Sequence, residues 1–170
     1  MIEEPPPPAT GPGPYRVCVV CLGNICRSPM AEVVLRAELD DAGLARSVVV
    51  DSAGTGGWHE GDPMDARARA ALADRGYDGT RHRARKFDPA WFADRDLVLA
   101  MDDENLADLR ELAPDAEAAA RVRLFRAFDP SAGDDPTVPD PYYGGDDGFA
   151  YVLDMIESAA KALVTSLERG

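Results

Sequence analysis

The residues best suited to chemistry lie in one short segment, where Cys21 precedes Arg27 by six positions. A cysteine thiolate is a strong nucleophile, and a guanidinium group offers two parallel N–H donors to an oxyanion. Between them lie Gly23 and Asn24, which tolerate positive φ and so allow successive backbone N–H groups to face inward. The segment therefore predicts an anion cradle with a nucleophile at its base, and Ser28 could donate its hydroxyl to the thiolate.

Two simpler interpretations of this segment have to be weighed. Cys21 could be a buried strand cysteine in front of an ordinary strand-to-helix turn. The turn could also bind a dinucleotide, but that fingerprint requires the glycines of G-x-G-x-x-G, and here only Gly23 is present. The joint occurrence of Cys-x5-Arg-Ser, a Gly-Asn pair and a helix start favours the nucleophilic cradle.

A nucleophilic displacement also needs a group that protonates the leaving oxygen, and a loop near the C-terminus is rich in carboxylic acids. Its aspartates are Asp129, Asp134, Asp135, Asp140, Asp146 and Asp147. Asp140 stands between Pro139 and Pro141, whose restricted backbones would hold its side chain in place. Asp140 is therefore the candidate general acid, and the alternative is a solvated loop aspartate.

Strand and helix patterns alternate along the chain, and they position these groups. Apolar runs rich in β-branched residues predict strands at 16–21, 47–51, 96–101 and 122–128. Helical spacing predicts helices at 28–41, 66–73, 89–93 and 103–112, and a long amphipathic helix from Phe149 towards the C-terminus. In the first helix, Ser28 is the expected N-cap and Pro29 the first helical residue.

This alternation predicts an α/β fold, in which helices cover both faces of a parallel sheet. Ligands of such sheets bind at the carboxyl ends of the strands. The cysteine segment follows the first predicted strand, and the aspartate loop follows the fourth. Both are therefore expected at the same edge of the sheet.

The composition limits the partners of the protein. The 170 residues carry a formal net charge of -13, which repels nucleic acid and anionic membrane surfaces. A phosphate ester would be repelled as well, so its pocket must be locally positive. No apolar run approaches the ~20 residues of a membrane span, and no cluster of His, Asp and Cys has metal-ligand spacing.

The chain ends and the cysteines give further expectations. Residues 1–14 are rich in proline and glycine, and we expect a disordered tail in front of a domain at 15–170. The N-terminus lacks the basic and apolar regions of a signal peptide, which favours a cytoplasmic location but leaves leaderless export open. Cys18, Cys21 and Cys26 are too clustered for a disulfide scaffold and are expected as thiols.

The segment 21–32, CLGNICRSPMAE, resembles the signature of the low-molecular-weight protein tyrosine phosphatases. Two further motifs follow in the matching order, DSAGT at 51–55 and DPYY at 140–143. The resemblance extends from Tyr15 to the C-terminus. It implies a three-layer sandwich with a four-stranded parallel sheet, flanking helices and a phosphate-binding loop after the first strand.

The resemblance also implies a reaction and the groups that perform it. Enzymes of this family hydrolyse protein phosphotyrosine through a cysteinyl-phosphate, which makes Cys21 the nucleophile and Arg27 the ligand of the phosphate and of the transition state. Asp140 would act first as general acid and then as base towards water. The expected partners are phosphotyrosine-containing proteins, with phosphate or another oxyanion in the pocket. No nucleic acid, membrane, metal or cofactor is expected, and a monomer is favoured.

Further site residues follow from the same resemblance. Ser52 and His82 are expected to support the loop from behind, although a plain exposed histidine is the alternative for His82. Trp58 and two tyrosines would form flat walls that suit an aryl phosphate. Cys26 is either a packing residue or a redox partner that protects Cys21 as a disulfide. The residues expected to bind phosphate or substrate are Leu22, Gly23, Asn24, Ile25, Cys26, Ser28, Trp58, Tyr142 and Tyr143.

Three alternative functions use the same kind of loop. Thioredoxin-coupled arsenate reductases need resolving cysteines later in the chain, and this chain has none after Cys26. Protein arginine phosphatases tend to have Thr at the position of Ile25 and a single aromatic in the aspartate motif, where this chain has Tyr142 and Tyr143. A non-catalytic phosphotyrosine-binding module is disfavoured because nucleophile, arginine and acid are all present.

Overall fold

A parallel sheet forms the centre of the fold in the computed structural model, which describes residues 3–142 and 145–169. Its strands are β1 (Tyr15–Cys21), β2 (Val48–Gly54), β3 (Leu97–Ala100) and β4 (Val122–Leu124), in the order β2-β1-β3-β4. Each neighbouring pair of strands runs parallel. The predicted α/β fold with a four-stranded parallel sheet is therefore confirmed.

Helices connect and cover the strands. The α-helices in the described part of the chain are α1 (Arg27–Asp41), α2 (Ala66–Asp74), α3 (Asp103–Leu112), α4 (Ala116–Ala120) and α5 (Asp146–Arg169). Short 3₁₀ helices lie at Pro89–Ala93, Phe125–Phe128 and Pro130–Ala132. Among the described residues, no helix combines the length and the apolar character that crossing a membrane requires.

Both faces of the sheet are covered, and β1 contributes to a separate core on each. Val17 and Val19 belong to the core that α1 and α5 complete on one face. Cys18 and Val20 point to the other face, where they join a core that includes Leu109 of α3. Because successive side chains of a strand point to opposite faces, a strand covered on both sides is apolar throughout. This arrangement explains the uninterrupted apolar run of β1 and confirms the three-layer architecture.

Several predicted boundaries differ from the structure. The fourth strand was predicted at 122–128, but β4 ends at Leu124 and the chain continues as a 3₁₀ helix. The prediction of Ser28 as N-cap is wrong, because α1 begins at Arg27 and Cys26 occupies the N-cap position without a side-chain cap. The short helix α4 was not predicted. Its N-cap is Asp115, whose carboxylate accepts a hydrogen bond from the Ala118 N–H.

The strand order places the carboxyl ends of β1 and β3 side by side. The chain passes from β1 to β2 on one side of the sheet, and β3 pairs with the other side of β1. The connections after β1 and β3 therefore lead away in opposite directions and leave a crevice between them. Such a crevice is the usual position of a ligand in an open parallel sheet.

Ala9 and Thr10 contact Asp96, the residue before β3, at the opposite end of the sheet. Asp96 Oδ1 accepts hydrogen bonds from the backbone N–H groups of Ala9 and Thr10, at 2.8 and 3.0 Å. The hydroxyl of Tyr15 donates to the carbonyl oxygen of Pro6 at 2.7 Å. The disorder of residues 1–14 in solution and the domain boundary at 15 stay predictions.

Candidate active site

The loop between β1 and α1 is shaped by two special backbone positions. Asn24 has a φ of 58°, the only positive φ of a non-glycine residue in the described ranges. Asparagine tolerates this left-handed region better than most residues. At Gly54, where β2 ends, an added Cβ would lie 2.7 Å from the carbonyl oxygen of Leu22. Glycine at this position therefore allows β2 to pack directly against the loop.

Cys21 lies at the floor of the loop, where its side chain is buried and its Sγ is 3.0 Å from Ser28 Oγ. Ser28 Oγ also accepts a hydrogen bond from Asn24 Nδ2 at 2.8 Å and lies 3.2 Å from the carbonyl oxygen of Ala53. A hydroxyl has one proton, so Ser28 can donate it either to that carbonyl or to the sulfur. The hydroxyl is thus placed to stabilise a thiolate.

Arg27 is buried beneath the loop, with 2% of its side chain exposed. Its Nη1 donates to Asp102 Oδ2 at 2.6 Å and to the carbonyl oxygen of Val138 at 3.0 Å. Its Nη2 lies 3.6 Å from Asp140 Oδ2. Burial alone would lower the pKa of Arg27, but negative charge at Cys21, Asp102 and Asp140 outweighs burial and raises it. The guanidinium is therefore a permanent positive charge at the base of the site.

Asp102, which holds Arg27, is a site residue that the sequence reasoning missed. It lies two residues after the end of β3 and caps α3, because its Oδ1 accepts a hydrogen bond from the Asn105 N–H at 2.8 Å. One carboxylate thus satisfies both a helix end and the buried arginine. An aspartate after a parallel strand lies at the edge of the sheet where ligands bind, and this position could have indicated a site residue. The local sequence, however, does not distinguish Asp102 from an ordinary helix cap.

Asp140 reaches the site from a loop that follows β4. Its carboxylate is 37% exposed, and its Oδ1 accepts a hydrogen bond from the Tyr142 N–H at 3.0 Å. Two residues earlier, the Val138 N–H donates to the carbonyl oxygen of Met101 at 2.7 Å, which ties the loop to the end of β3. The backbone around Asp140 is therefore held by hydrogen bonds as well as by the two prolines of the sequence.

A further group of side chains holds the loop between β1 and α1 from behind; residues 22–26 of this loop form the catalytic loop of the candidate site. Asn24 Nδ2 donates to Ser52 Oγ at 3.0 Å, and Ser52 Oγ donates to Glu32 Oε1 at 2.6 Å. Asn24 Oδ1 accepts a hydrogen bond from the Arg85 N–H at 2.9 Å, and the Asn24 carbonyl oxygen lies 2.6 Å from His82 Nε2. Burial lowers the pKa of His82, although this hydrogen bond opposes the shift. A neutral His82 that carries its proton on Nε2 fits this contact.

Cys21, Arg27 and Asp140 line one cavity of about 220 Å³. Its buried lining includes Cys21, Cys26 and Arg27, and its exposed lining includes two large aromatic side chains, Trp58 at 74% and Tyr142 at 36% exposure. The lining residues are Cys21, Leu22, Gly23, Ile25, Cys26, Arg27, Trp58, His59, Asp140 and Tyr142. The cavity thus combines a thiol, a cation, a carboxylate and aromatic walls.

Comparison with known proteins identifies the family to which this chain belongs. The family model described as low molecular weight phosphotyrosine protein phosphatase matches residues 16–170. The chain belongs to this family. The resemblance inferred from three sequence motifs is therefore confirmed, as is the prediction of an enzyme of the protein-tyrosine-phosphatase class, a phosphoric monoester hydrolase.

Similar members of the phosphatase family occur in bacteria. A low molecular weight protein-tyrosine-phosphatase of Streptomyces coelicolor is 57% identical over 154 residues, which cover 90% of this chain and 93% of that protein. Low molecular weight protein-tyrosine phosphatase A of Mycobacterium tuberculosis is 45% identical over 151 residues, which cover 88% of this chain and 90% of that protein.

Solved structures of the phosphatase family have the same fold. A protein tyrosine phosphatase of Entamoeba histolytica, crystallised with Hepes in its active site, superposes with a TM-score of 0.87 at 36% identity, covering 92% of this chain and 98% of that one. YfkJ of Bacillus subtilis superposes with a TM-score of 0.85 at 33% identity, covering 93% of this chain and 97% of that one. Both likenesses support the predicted sandwich architecture.

In this phosphatase-family chain, the predicted site residues fall into two groups. Most of the predicted phosphate and substrate ligands line the cavity, whereas Asn24 and Ser28 are fully buried and bond to the loop itself. Tyr143 lies outside the described residues. His59 lines the cavity although it was not predicted, and its ring centroid lies 6.5 Å from that of Tyr142. The Gly-Gly-Trp-His context of His59 offered no signal beyond its proximity to Trp58.

Cys26 is buried beside the nucleophile position and lines the same cavity. Burial raises the pKa of Cys26 well above its usual range, and negative charge at Asp65 and Cys21 adds to the effect. Its thiol is therefore protonated and a poor nucleophile. Cys18 is fully buried in the core of the sheet, as expected for a packing residue. The role of Cys26 as a redox partner of Cys21 stays a prediction.

Proposed function

We propose that this protein hydrolyses phosphotyrosine in proteins through a cysteinyl-phosphate intermediate. The observation that carries the proposal is the convergence of Cys21, Arg27 and Asp140 on one cavity, with the first two buried and the third exposed. Such a site offers a nucleophile, a cation for the phosphate and an acid for the leaving group. The names of the similar proteins support the choice of phosphotyrosine.

In the first step, the Cys21 thiolate attacks phosphorus, an S–P bond forms and the P–O bond to the tyrosyl oxygen breaks. Asp140 in its acid form protonates that oxygen, so the phenol leaves neutral. The transferring phosphoryl group keeps its negative charge throughout, and the Arg27 guanidinium and the backbone N–H groups at the start of α1 stabilise it. Asp102 supports this step by holding Arg27 in place.

In the second step, water attacks the phosphorus of the cysteinyl-phosphate. The Asp140 carboxylate left by the first step accepts a proton from this water, the S–P bond breaks and inorganic phosphate forms. Cys21 leaves as a thiolate, and Ser28 Oγ at 3.0 Å from the sulfur can donate its proton to it. Asp140 thus serves as the acid of the first step and the base of the second, and the enzyme returns to its starting state.

The preference for an aryl phosphate follows from the walls of the cavity. Trp58 and Tyr142 present flat apolar surfaces against which a phenyl ring can pack. Ile25 adds an apolar side chain at the phosphate loop, where an arginine phosphatase tends to have Thr. The proposal places the protein in a reducing, cytoplasmic location, because Cys21 has to remain a thiol to act. It also takes the protein to be a monomer.

The test compares hydrolysis of p-nitrophenyl phosphate, a phosphotyrosyl peptide and a phosphoarginyl peptide. We expect the wild type to cleave the first two, and Cys21→Ser to release no phosphate from either while it still binds the phosphotyrosyl peptide. Cys18→Ala is the matched control, since it removes a buried thiol outside the cavity and should keep the activity. A wild type that cleaves none of the three, or only the phosphoarginyl peptide, would contradict the proposal.

A further inference from the structure

Arg67, in the first turn of α2, contacts the loop that carries Asp140. Its Nη2 donates to the carbonyl oxygen of Tyr142 at 2.9 Å. Its guanidinium carbon lies 5.4 Å from the ring centroid of Tyr142 and 4.7 Å from that of Phe149 in α5. These distances are within the range of cation–π interactions. Arg67 therefore binds both the backbone and the ring of a residue two positions after Asp140.

Arg67 is itself held from the side of the catalytic loop. Asp65 accepts hydrogen bonds from Arg67 Nε at 3.2 Å and from Nη2 at 3.1 Å, a two-pronged pairing that fixes the plane of the guanidinium. The Asp65 N–H donates to the carbonyl oxygen of Ile25 at 2.9 Å. Burial alone would raise the pKa of Asp65, but hydrogen bonds from Arg67 outweigh it and lower the pKa. A continuous chain of contacts thus connects the phosphate loop to Tyr142.

The loop around Asp140 is consequently anchored on both sides of the acid. On one side, Val138 bonds to Met101 through its N–H and to Arg27 through its carbonyl oxygen. On the other side, Arg67 holds the carbonyl oxygen of Tyr142. The Tyr142 N–H in turn donates to Asp140 Oδ1, so the position of Tyr142 determines where the carboxylate points. Packing does not fix this carboxylate, because 37% of it is exposed.

We propose that Arg67 is a positioning residue for the general acid, which it holds at a fixed distance from the phosphate loop through Asp65 and Tyr142. The inference rests on the proposed role of Asp140. An arginine is required because its planar fork can pair with Asp65 and bond to the Tyr142 carbonyl at the same time. Lysine has a single ammonium group on a flexible stem and cannot hold both contacts in one plane.

The dependence of the rate on the leaving group tests this role. Phenyl phosphate has a poor leaving group and needs the acid, whereas p-nitrophenyl phosphate needs it much less. For Arg67→Leu we expect kcat/KM on phenyl phosphate, which reports only the step that breaks the P–O bond, to fall by about 10-fold to 100-fold, the usual effect of a displaced catalytic group. On p-nitrophenyl phosphate we expect a loss below about threefold, because its oxygen leaves with little help. Arg67→Lys should fall between the wild type and Arg67→Leu.

A second variant and a matched control separate positioning from folding. Asp65→Asn keeps a good N-cap for α2 but weakens the hold on Arg67, so it should show the same substrate dependence in weaker form. Arg69→Leu is the control, because Arg69 lies on the same helix and its Nε donates to the Met64 carbonyl oxygen. In Arg69→Leu, the ratio of the rates on phenyl phosphate and p-nitrophenyl phosphate should stay that of the wild type. Melting temperatures of all variants show which of them fold.

The outcomes distinguish this inference from the proposed function. Equal losses of kcat/KM on both substrates in folded Arg67→Leu, or no loss on either, would overturn the positioning role if Asp140→Asn still lowers kcat/KM selectively on phenyl phosphate. If Asp140→Asn shows no selective loss of rate on phenyl phosphate, Asp140 is not the general acid. The assignments of Asp140 as acid and of Arg67 as its positioning residue would then both be wrong. A selective loss in Asp140→Asn and Arg67→Leu, with Arg69→Leu unaffected, supports the proposal.

Discussion

The catalytic loop and the loop of Asp140 meet at the same edge of the sheet but are built in opposite ways. In the catalytic loop the key side chains are buried and bonded to one another, with Asn24 fully buried and Arg27 at 2% exposure. In the other loop the acid is 37% exposed, and backbone contacts at Val138 and Tyr142 hold it. One region is rigid by packing, and the other is positioned from its flanks.

This difference matches the chemistry that we propose for each region. The phosphoryl group has the same shape in every substrate, so its cradle does not have to change conformation from one substrate to the next. A buried and preorganised cradle also strengthens the electrostatic contacts. Asp140 would have to gain and lose a proton in each cycle and admit water, and an exposed carboxylate does both. Changes in the two regions should therefore affect stability and rate differently.

The largest effect is expected from Asp140→Asn in the exposed region. Because the amide cannot donate a proton as an acid or accept one as a base, kcat on phenyl phosphate should fall by about 10²–10⁴-fold. The melting temperature should stay close to that of the wild type, since the carboxylate is exposed and Asn can keep the bond from the Tyr142 N–H. Steady-state kinetics and thermal denaturation measure the two quantities.

Asp134→Asn is the matched control for this prediction, because Asp134 is an exposed aspartate of the same loop that does not line the cavity. Its rate should equal that of the wild type. A marked loss of stability in Asp140→Asn, or an equal loss of rate in Asp134→Asn, would remove the contrast between the two regions.

An intermediate effect is expected from Asn24→Gly in the buried region, where stability and rate should fall together. Glycine keeps the backbone at φ 58° but removes the amide that bonds to Ser28, Ser52 and the Arg85 N–H. Buried groups left without partners should lower the free energy of unfolding by about 1–3 kcal/mol. Urea denaturation gives this value, and p-nitrophenyl phosphate reports the accompanying loss of rate.

Asn24→Ala provides the comparison for Asn24→Gly. It removes the same amide and also places a Cβ in the left-handed region, which should cost about 1–2 kcal/mol more than glycine does. If Asn24→Gly proves as stable as the wild type, or Asn24→Ala more stable than Asn24→Gly, the account of the loop backbone is wrong.

The smallest effect is expected from His82→Gln and depends on pH. Burial lowers the pKa of His82 in the folded protein below its ordinary value of about 6.5. The unfolded chain therefore binds a proton more readily, so the stability that neutral His82 contributes is present above about pH 6.5 and is lost as the pH falls below it. Glutamine does not titrate in this range.

We therefore expect the wild type to exceed His82→Gln in stability at pH 7.5 and to lose this advantage at pH 5.5. Urea denaturation of both proteins at the two pH values measures the difference. If the stability advantage of the wild type grows as the pH falls, the folded state prefers the protonated imidazole. That result would contradict the lowered pKa that we attribute to the burial of His82.

The sequence-based expectations succeeded where the physical signal is local. Four apolar runs marked the strands, and the helix at 103–112 has the predicted bounds. The errors arose where tertiary contacts compete with a local preference. Ser28 has the residue type of an N-cap, but its hydroxyl bonds to Asn24 and approaches Cys21 in the loop. The predicted end of the fourth strand was too late, because the apolar residues after Leu124 pack as a 3₁₀ helix.

The sequence by itself determined the candidate nucleophile, the candidate cradle and the candidate acid, because spacing within one loop and two flanking prolines are readable along the chain. Only the tertiary structure decided what holds them: Asp102 on Arg27, and Arg67 on Tyr142. Each of these contacts joins residues 75 positions apart. The strand order brings the ends of β1 and β3 together, and the spacing of residues within a single motif contains no information about which distant element will lie beside it.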